Sequence, residues 1–149
     1  MFRGWHYHTI DEKGRLSIPT RFREVLNGRS ENHLVITGLN KYLAAYPLSS
    51  WRAIEETYSN LPDFDAEARA FLRLFVSGAT ECSIDKQGRI LVPPSLREFA
   101  RLEKDVAVVG MLRSFEIWDK QAFEQEMQKY TTGEKSINAG EQMTKLKLL

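Results

Sequence analysis

The chain has little cysteine, no long apolar run and almost no net charge. Cys82 is the only cysteine, which excludes an intramolecular disulfide and a cysteine-based metal cluster. No stretch approaches the roughly 20 apolar residues that span a bilayer, and the first residues lack the apolar run of a signal peptide. We therefore expect a cytoplasmic protein that makes no contact with a membrane.

The charge balance gives no support to nucleic-acid binding. The 21 lysine and arginine residues face 20 aspartate and glutamate residues, a net charge of +1, whereas a nucleic-acid binder usually carries a basic excess. Any such function has to depend on where the charges lie. The hydrophobic content of 42% and the aromatic content of 11% are typical of a folded globular chain.

Motifs of common enzyme classes are also missing. The sequence has no P-loop, no G-x-G-x-x-G and no G-x-S-x-G. His6 and His8 would share one face of a strand, and with His33 they offer three nitrogen ligands. Because no cysteine or carboxylate cluster completes this site, histidines near a subunit contact are the favoured interpretation. We expect no enzyme activity, no cofactor and no metal.

The sequence does contain one basic motif twice. Residues 10–24 read IDEKGRLSIPTRFRE and residues 84–98 read IDKQGRILVPPSLRE, an offset of 74 with seven of fifteen positions identical. Downstream, residues within 34–51 correspond to residues 107–123 at an offset of 72, which aligns Tyr46 with Trp118. A duplication of one unit is the simplest explanation.

Each copy of the motif predicts a strand, a turn and a return strand. The first strand, 6–10 or 81–84, ends in DEKG or DKQG, where the aspartate accepts backbone amides and the glycine supplies a positive φ. The return strand, 15–18 or 89–92, completes a hairpin. Pro19 and Pro93 then stop these strands and suit the first turn of a short helix.

A second strand pair and helices follow in each copy. The pairs are 33–37 with 42–46 and 106–110 with 115–118, with Gly38 and Gly110 marking the connections. We expect a turn around Pro62, a mobile tail over 131–149, and tryptophans that anchor the core or an interface. Three apolar stripes predict helices: Trp51, Ile54 and Tyr58 behind an N-cap at Ser49 or Ser50; Ala68, Phe71, Leu72 and Phe75 within 65–76; and Phe123, Met127 and Tyr130.

The two copies are expected to form one body. Four short strands bury too little surface to fold alone, so the halves are predicted to interleave into one β-barrel-like core with the helices outside, in an α+β fold. The expected divisions are a first repeat at 3–50, inter-repeat helices at 51–76, a second repeat at 77–123, and a C-terminal helix end with a mobile tail at 124–149.

The repeated motif carries a family resemblance. The pattern D-x-x-G-R, followed by an apolar pair and proline, resembles the AbrB/SpoVT (swapped-hairpin) DNA-binding fold, in which two copies interlock into one barrel. A chain that begins MFRG and carries DEKGR at 11–15 and DKQGR at 85–89 resembles the MraZ family, over about residues 1–130. The resemblance implies a nucleoid-associated transcriptional regulator of the bacterial cell-division and cell-wall gene cluster. It also implies a ring of many subunits on double-stranded DNA with repeated promoter elements.

The hairpin tips carry the residues that we expect to contact DNA. Arginine suits bidentate contacts to phosphate or to a guanine edge, and a two-stranded ribbon can enter the major groove. The main candidates are Lys13, Arg15, Lys86 and Arg89. The weaker ones are Arg3, Arg21, Arg23 and Arg97, of which Arg23 matches a basic position in AbrB-like proteins. Asp11, Gly14, Asp85 and Gly88 are expected to shape the turns.

Two alternatives stay open for the hairpin arginines. Arg15 and Arg89 can pair with the turn aspartates and stabilise the turns, a role that is compatible with an outward contact. They can also contact protein, in an antitoxin-like or scaffold module that does not bind DNA. Because Lys13 corresponds to Gln87, the first hairpin is expected to bind more strongly. Near-zero net charge fits DNA binding only if many hairpins act together.

Overall fold

A computed structural model of the chain describes residues 1–60, 62 and 65–148 and has the expected α+β class. The elements follow one another in the same order in the two halves. The first half contains β1 (Trp5–Thr9), β2 (Arg15–Ser17), α1 (Thr20–Gly28), β3 (His33–Leu39), β4 (Tyr42–Pro47), α2 (Leu48–Ser59) and α3 (Ala66–Phe75). The second half contains β5 (Thr80–Ser83), β6 (Arg89–Leu91), α4 (Pro94–Phe99), β7 (Asp105–Gly110), β8 (Phe115–Asp119), α5 (Lys120–Thr131) and α6 (Ala139–Lys145).

The two halves interleave through their strands. Six strands form one antiparallel sheet in the order β1-β7-β8-β4-β3-β5, and β2 and β6 form a separate two-stranded ribbon. β1 of the first half pairs with β7 of the second, with Tyr7 opposite Ala107. β5 of the second half pairs with β3 of the first, and β4 pairs with β8 between them. Each half therefore completes the sheet of the other.

The predicted hairpins pair differently from expectation. β1 and β2 share only a single bridge, between Ile10 and Leu16, and each strand pairs along its length with a strand of the other half. Pairing β2 with β6 sets Leu16 opposite Ile90, and both side chains are buried in the shared core, which favours this partner. Among the residues described, the pairing leaves β1 and β5 as sheet edges and does not close a barrel.

One hydrophobic core joins the halves. Phe2 and Phe22 from the first half and Phe115 from the second are almost fully buried. Their ring centroids lie 5.2 Å apart for Phe2 and Phe22, 5.3 Å for Phe2 and Phe115, and 5.1 Å for Phe22 and Phe115. Two smaller clusters pack separately, one around Trp51 and one around Trp118.

Contrary to the sequence prediction, Gly38 does not mark a connection, whereas Gly110 does, because the connection to β8 follows it directly. Gly38 lies inside β3 and Gly110 ends β7. A Cβ at Gly38 would stand 2.6 Å from the ring of Phe99, and one at Gly110 would stand 2.4 Å from the backbone nitrogen of Arg3. Both positions thus permit the close approach of another segment. The tight turn between β3 and β4 instead uses Asn40, with φ at 54°.

The start of α2 also differs from expectation. Neither Ser49 nor Ser50 caps the helix, which begins at Leu48 behind Pro47. The Glu31 carboxylate accepts the Ser49 amide at 2.9 Å, and this bond satisfies a first-turn amide in place of a serine cap. The predicted stripes do lie on α2, α3 and α5, although only Phe75 of the α3 stripe is buried.

The C-terminal tail is more regular than predicted. It contains α6, whose N-cap Asn138 accepts the Glu141 amide at 3.0 Å, and none of the residues of α6 is buried. Trp5 is 58% exposed on the edge strand β1 and is therefore no core residue. The turn expected around Pro62 falls mostly outside the described residues. No helix within the described ranges has the length and apolar character needed to cross a membrane.

Candidate functional site

Two turns with the same hydrogen bonds occupy equivalent places in the halves. In turn 1, residues 11–15, Asp11 Oδ1 accepts the amides of Lys13 and Arg15, both at 2.9 Å. In turn 2, residues 85–89, Asp85 Oδ1 accepts the amides of residues 87 and 89, also at 2.9 Å. The carboxylate thus replaces the amide partners that a strand would otherwise supply, and it fixes the direction in which β2 or β6 begins.

Each turn is packed against an arginine of the other half. Gly14 has φ at 90° and Gly88 has φ at 77°, a region that favours glycine. A Cβ at Gly14 would stand 2.9 Å from Nε of Arg97, and one at Gly88 would stand 2.5 Å from Cδ of Arg23. Both arginines are half-buried, and Arg23 Nε donates to the Ile18 carbonyl at 3.1 Å. Arg23 and Arg97 therefore lie beneath the turns rather than at their tips.

The two motif arginines pair with the turn aspartates. Arg15 Nε lies 2.6 Å from Asp11 Oδ2, and Arg89 Nε lies 3.1 Å from Asp85 Oδ2. The arginine side chains remain 39% and 30% exposed. Each bond uses one of the five N–H donors of a guanidinium group, so turn pairing and a contact to another molecule are compatible.

The β2–β6 ribbon brings both arginines onto one surface. Arg15 pairs with Leu91 and Arg89 pairs with Ser17, while Leu16 and Ile90 between them face the core. Because side chains alternate along a strand, Arg15 and Arg89 project on the solvent side. They stand at opposite ends of a three-residue ribbon, about 7 Å apart along the strands.

Hydrogen bonding in the turns lowers the pKa of both aspartates. The amide of Arg15, followed by its side chain, holds the pKa of Asp11 at about 2, against an ordinary value of 3.8. The amide of Arg89 is the largest cause of a lowered pKa at Asp85. Both carboxylates are therefore charged at neutral pH, and both arginines stand beside a fixed negative charge.

A pH titration is expected to report turn 1. A lowered folded pKa means that Asp11 stabilises the turn above pH 3.8 and that this contribution is lost as the pH falls toward 2. The carboxyl carbon signal of Asp11 should titrate near pH 2 by NMR. In the Arg15→Ala variant the midpoint should rise only part of the way, since the backbone amide still donates. A midpoint near 3.8 in the unaltered protein would contradict the turn geometry.

The other basic candidates lie at different distances from the ribbon. Lys13 and Lys86 are exposed in the turns, and Arg21 is exposed in the first turn of α1, directly after β2. The backbone of Arg3 lies against Gly110, at the other end of β1 from turn 1, about 17 Å away. Arg3 is therefore separated from turn 1 by the length of β1.

The repeated motif does not include one basic residue that lies near turn 1. Lys104 lines a cleft of about 660 Å³ together with Lys13, Arg15 and Arg97, and Glu12 and Glu103 also border it. The Lys104 carbonyl accepts the Ile10 amide at 2.8 Å, as the Asn32 carbonyl accepts the Ile84 amide at 2.9 Å. Lys104 thus corresponds to Asn32 and adds one basic side chain near turn 1, while Glu12 of turn 1 stands where turn 2 has Lys86. The repeat offset of 72 aligns Lys104 with Asn32, so the sequence could have indicated this residue, although it lies outside the repeated motif.

The histidines lie on strands of the six-stranded sheet and not on the ribbon. His6 and His8 share one face of β1, where the His6 ring lies 5.0 Å from Phe22 and burial is the largest cause of a lowered pKa at His8. His33 lies on β3, in the other part of the sheet. In the described part of the chain, no group of three histidine, cysteine or carboxylate residues is placed to hold a metal ion.

The family model and the relatives that match this chain all carry the name of one family. The sequence model of a family described as "MraZ protein, putative antitoxin-like" matches residues 1–74 and again 75–147. The transcriptional regulator MraZ of Moorella thermoacetica is 50% identical over 125 residues, covering 84% of this chain and 85% of the relative. That of Pelotomaculum thermopropionicum is 53% identical over 125 residues, covering 83% of each chain. From these matches, and from the two copies of one turn that they cover, it follows that the chain belongs to the MraZ family.

Proposed function

We propose that the chain is a transcriptional regulator that binds double-stranded DNA through the β2–β6 ribbon. The observation that carries the proposal is the position of Arg15 and Arg89 on the solvent side of one ribbon. A two-stranded ribbon fits the major groove, which is about 12 Å wide, and arginine can bond both acceptors of a guanine. The relatives bear the name of a transcriptional regulator rather than of an enzyme, which supports this class of function.

The basic residues have different roles in this proposal. Arg15 and Arg89 contact base edges or phosphates, and Lys13 and Lys86 contact phosphates as point charges. Arg21 adds positive charge at the start of α1, where the helix dipole also favours an anion. Arg23 and Arg97 hold the turns from below. Turn 1 carries the larger share because Lys13 and Lys104 flank it.

In this proposal the two repeats adopt the swapped-hairpin AbrB/SpoVT fold. The exchange of β1 and β5 between the halves supports it. The first repeat then spans 3–50 and the second 77–123, with helices at 51–76 between them and the helix end and tail at 124–149. The proposed target is tandem promoter repeats of the cell-division and cell-wall gene cluster, bound by a ring-shaped oligomer in the cytoplasm at the nucleoid.

Assembly explains how a chain of net charge +1 can bind DNA. One ribbon offers a few phosphate contacts, too few for tight binding at physiological salt. Several identical ribbons on tandem repeats raise the effective concentration of each next contact without any new kind of contact. The proposed oligomer and the proposed DNA target therefore depend on each other.

The proposal is tested by DNA retention at two salt concentrations. With DNA from upstream of the gene of this protein, 6–10 phosphate contacts predict that affinity falls by about 10³–10⁵ between about 50 and 200 mM salt. Fluorescence anisotropy measures this, with a scrambled duplex of equal length as the control. Equal affinity for both duplexes would contradict sequence-specific recognition, and binding that is insensitive to salt would contradict the phosphate contacts.

A protein-interaction module is the second candidate. The family description "putative antitoxin-like" favours it, whereas the ion pairs of Arg15 and Arg89 within their own turns are compatible with either function. In this alternative the ribbon contacts protein, and substitution of the arginines disturbs the assembly rather than DNA retention.

A further inference from the structure

The two halves differ in how the outer face of the sheet is covered. In the first half, Phe75 at the end of α3 is 5% exposed and its ring lies 5.4 Å from Trp51 of α2. In the second half, Phe123 of α5 corresponds to Trp51, and the ring beside it is Trp5 of β1, at 5.2 Å. Trp5 and Tyr7 are 58% and 49% exposed. We call Trp5 and Tyr7 the open face; buried Phe123 lies beneath it, and among the described residues no counterpart of α3 covers it.

The sequence order identifies α6 as the counterpart of α3. α2 and α5 each have 12 residues, and α3 and α6 follow them after short linkers. Each is capped by a side chain that accepts the amide three residues on, Asp65 at 2.8 Å and Asn138 at 3.0 Å, 73 positions apart. The second family match extends to residue 147 and so includes α6.

α6 does not cover the open face of its own chain. Its linker is held against the end of α5 by bonds from the Gly133 amide to the Gln128 carbonyl at 2.9 Å and from the Ile137 amide to the Tyr130 carbonyl at 3.0 Å. Four large apolar side chains of this segment lie between 38% and 64% exposed: Ile137, Met143, Leu146 and Leu148. These side chains and the residues Trp5 and Tyr7 are therefore both uncovered, and a second copy of the chain can bring the two surfaces together.

The charges near the open face are complementary to those of the α6 segment. Beside the Thr9 end of β1 lies a cleft of about 290 Å³ that four carboxylates line against two lysines. The carboxylates are Glu103, Asp105, Asp119 and Glu124, and the lysines are Lys104 and Lys120. The α6 segment carries Lys145 and Lys147 next to its apolar residues. A helix that lays its apolar side chains on Trp5 and Tyr7 can direct these lysines toward the cleft.

We propose that α6 and the residues after it dock on the open face of a second copy of this chain. The contact is heterologous, because the tail of one copy meets the sheet of the next, and such contacts generate a ring or an open filament. The inference rests on the proposed assembly and deepens it by naming both surfaces. It does not depend on DNA binding.

Complementary variants of the full chain test the contact. The tail variant carries Met143→Glu and Leu146→Glu, and the face variant carries Trp5→Glu and Tyr7→Glu. By sedimentation velocity, the dissociation constant for self-association of each variant alone should be at least about tenfold higher than that of the unaltered chain, since aromatic anchors dominate interfaces. An equimolar mixture should form dimers and nothing larger, because only one intact tail and one intact face remain. Leu74→Glu on α3, a residue that is 60% exposed, should leave assembly unchanged.

Other outcomes overturn the inference. The contact is excluded if the tail and face variants assemble like the unaltered chain. It is also excluded if the unaltered chain is monomeric, or if the mixture of the two variants stays monomeric. Circular dichroism checks folding, and Tyr7→Ser alone replaces the face variant if that does not fold. A variant with Arg15→Ala and Arg89→Ala should assemble normally, so failure of DNA binding and failure of this contact are distinguishable.

Discussion

Replacing Arg15 and Arg89 together by alanine is expected to weaken promoter binding by about 30-fold or more while the chain stays folded. Each bidentate arginine contact contributes about 1–3 kcal/mol of discrimination, and about 1.4 kcal/mol corresponds to tenfold in affinity. If the arginines bind phosphates, the salt dependence should also fall by about one unit of slope for each phosphate that the variant leaves unbound. Stability should change little, because the pairs with the aspartates are exposed and exposed pairs contribute about 0–1 kcal/mol.

A matched control separates the ribbon from general charge. Arg113→Ala removes an exposed arginine in the turn between β7 and β8, away from the ribbon, and should leave affinity nearly unchanged. Anisotropy on promoter DNA and sedimentation velocity are measured for each variant. Retained DNA affinity together with a disturbed assembly would favour the protein-interaction alternative.

The single variants should be unequal. Lys13 and Lys104 flank turn 1, whereas the corresponding positions near turn 2 are Gln87 and Asn32. Arg15→Ala should therefore weaken binding more than Arg89→Ala. Equal or reversed effects of the two substitutions would show that Lys86, which stands where turn 1 has Glu12, offsets the contribution of Lys13 and Lys104.

The duplicated motif predicted local structure well because its signals are local. The aspartate and the glycine at 14 or 88 define each turn through bonds within five residues, and short apolar runs define the second strand pair. The choice of strand partners, in contrast, does not depend on local signals. The pattern around Leu16 is the same whether β2 pairs with β1 or with β6, so only burial in the assembled core decides the partner.

Long-range packing also decided the roles of several residues. A sequence motif cannot distinguish an arginine at a turn from one beneath it, and Arg23 and Arg97 lie beneath turns of the opposite half. Gly38 was expected in a connection because glycine is common there, but the approach of the Phe99 ring accounts for it. Lys104 was missed because its neighbours in space come from the other end of the chain.

Removing the side chain of Phe115 is expected to destabilise both halves together. Phe115 is fully buried against Phe2 and Phe22, two residues of the first half, although it belongs to β8 of the second. Phe115→Ala should lower the free energy of unfolding by about 3–5 kcal/mol, the usual loss for a buried phenylalanine. Denaturant unfolding followed by circular dichroism measures this loss, and a single transition is expected.

Hydrogen exchange then distinguishes a shared core from two independent units. In the Phe115→Ala variant, amide protection should fall in β3 and β4 of the first half as well as in β7 and β8, because the same aromatic cluster supports both. Phe71→Ala provides the control, since Phe71 is 40% exposed on α3 and its removal should cost about 1 kcal/mol or less. Loss of protection confined to β7 and β8 would mean that the halves fold separately. In that event the β2–β6 ribbon would not depend on a common core to hold Arg15 and Arg89 on one surface.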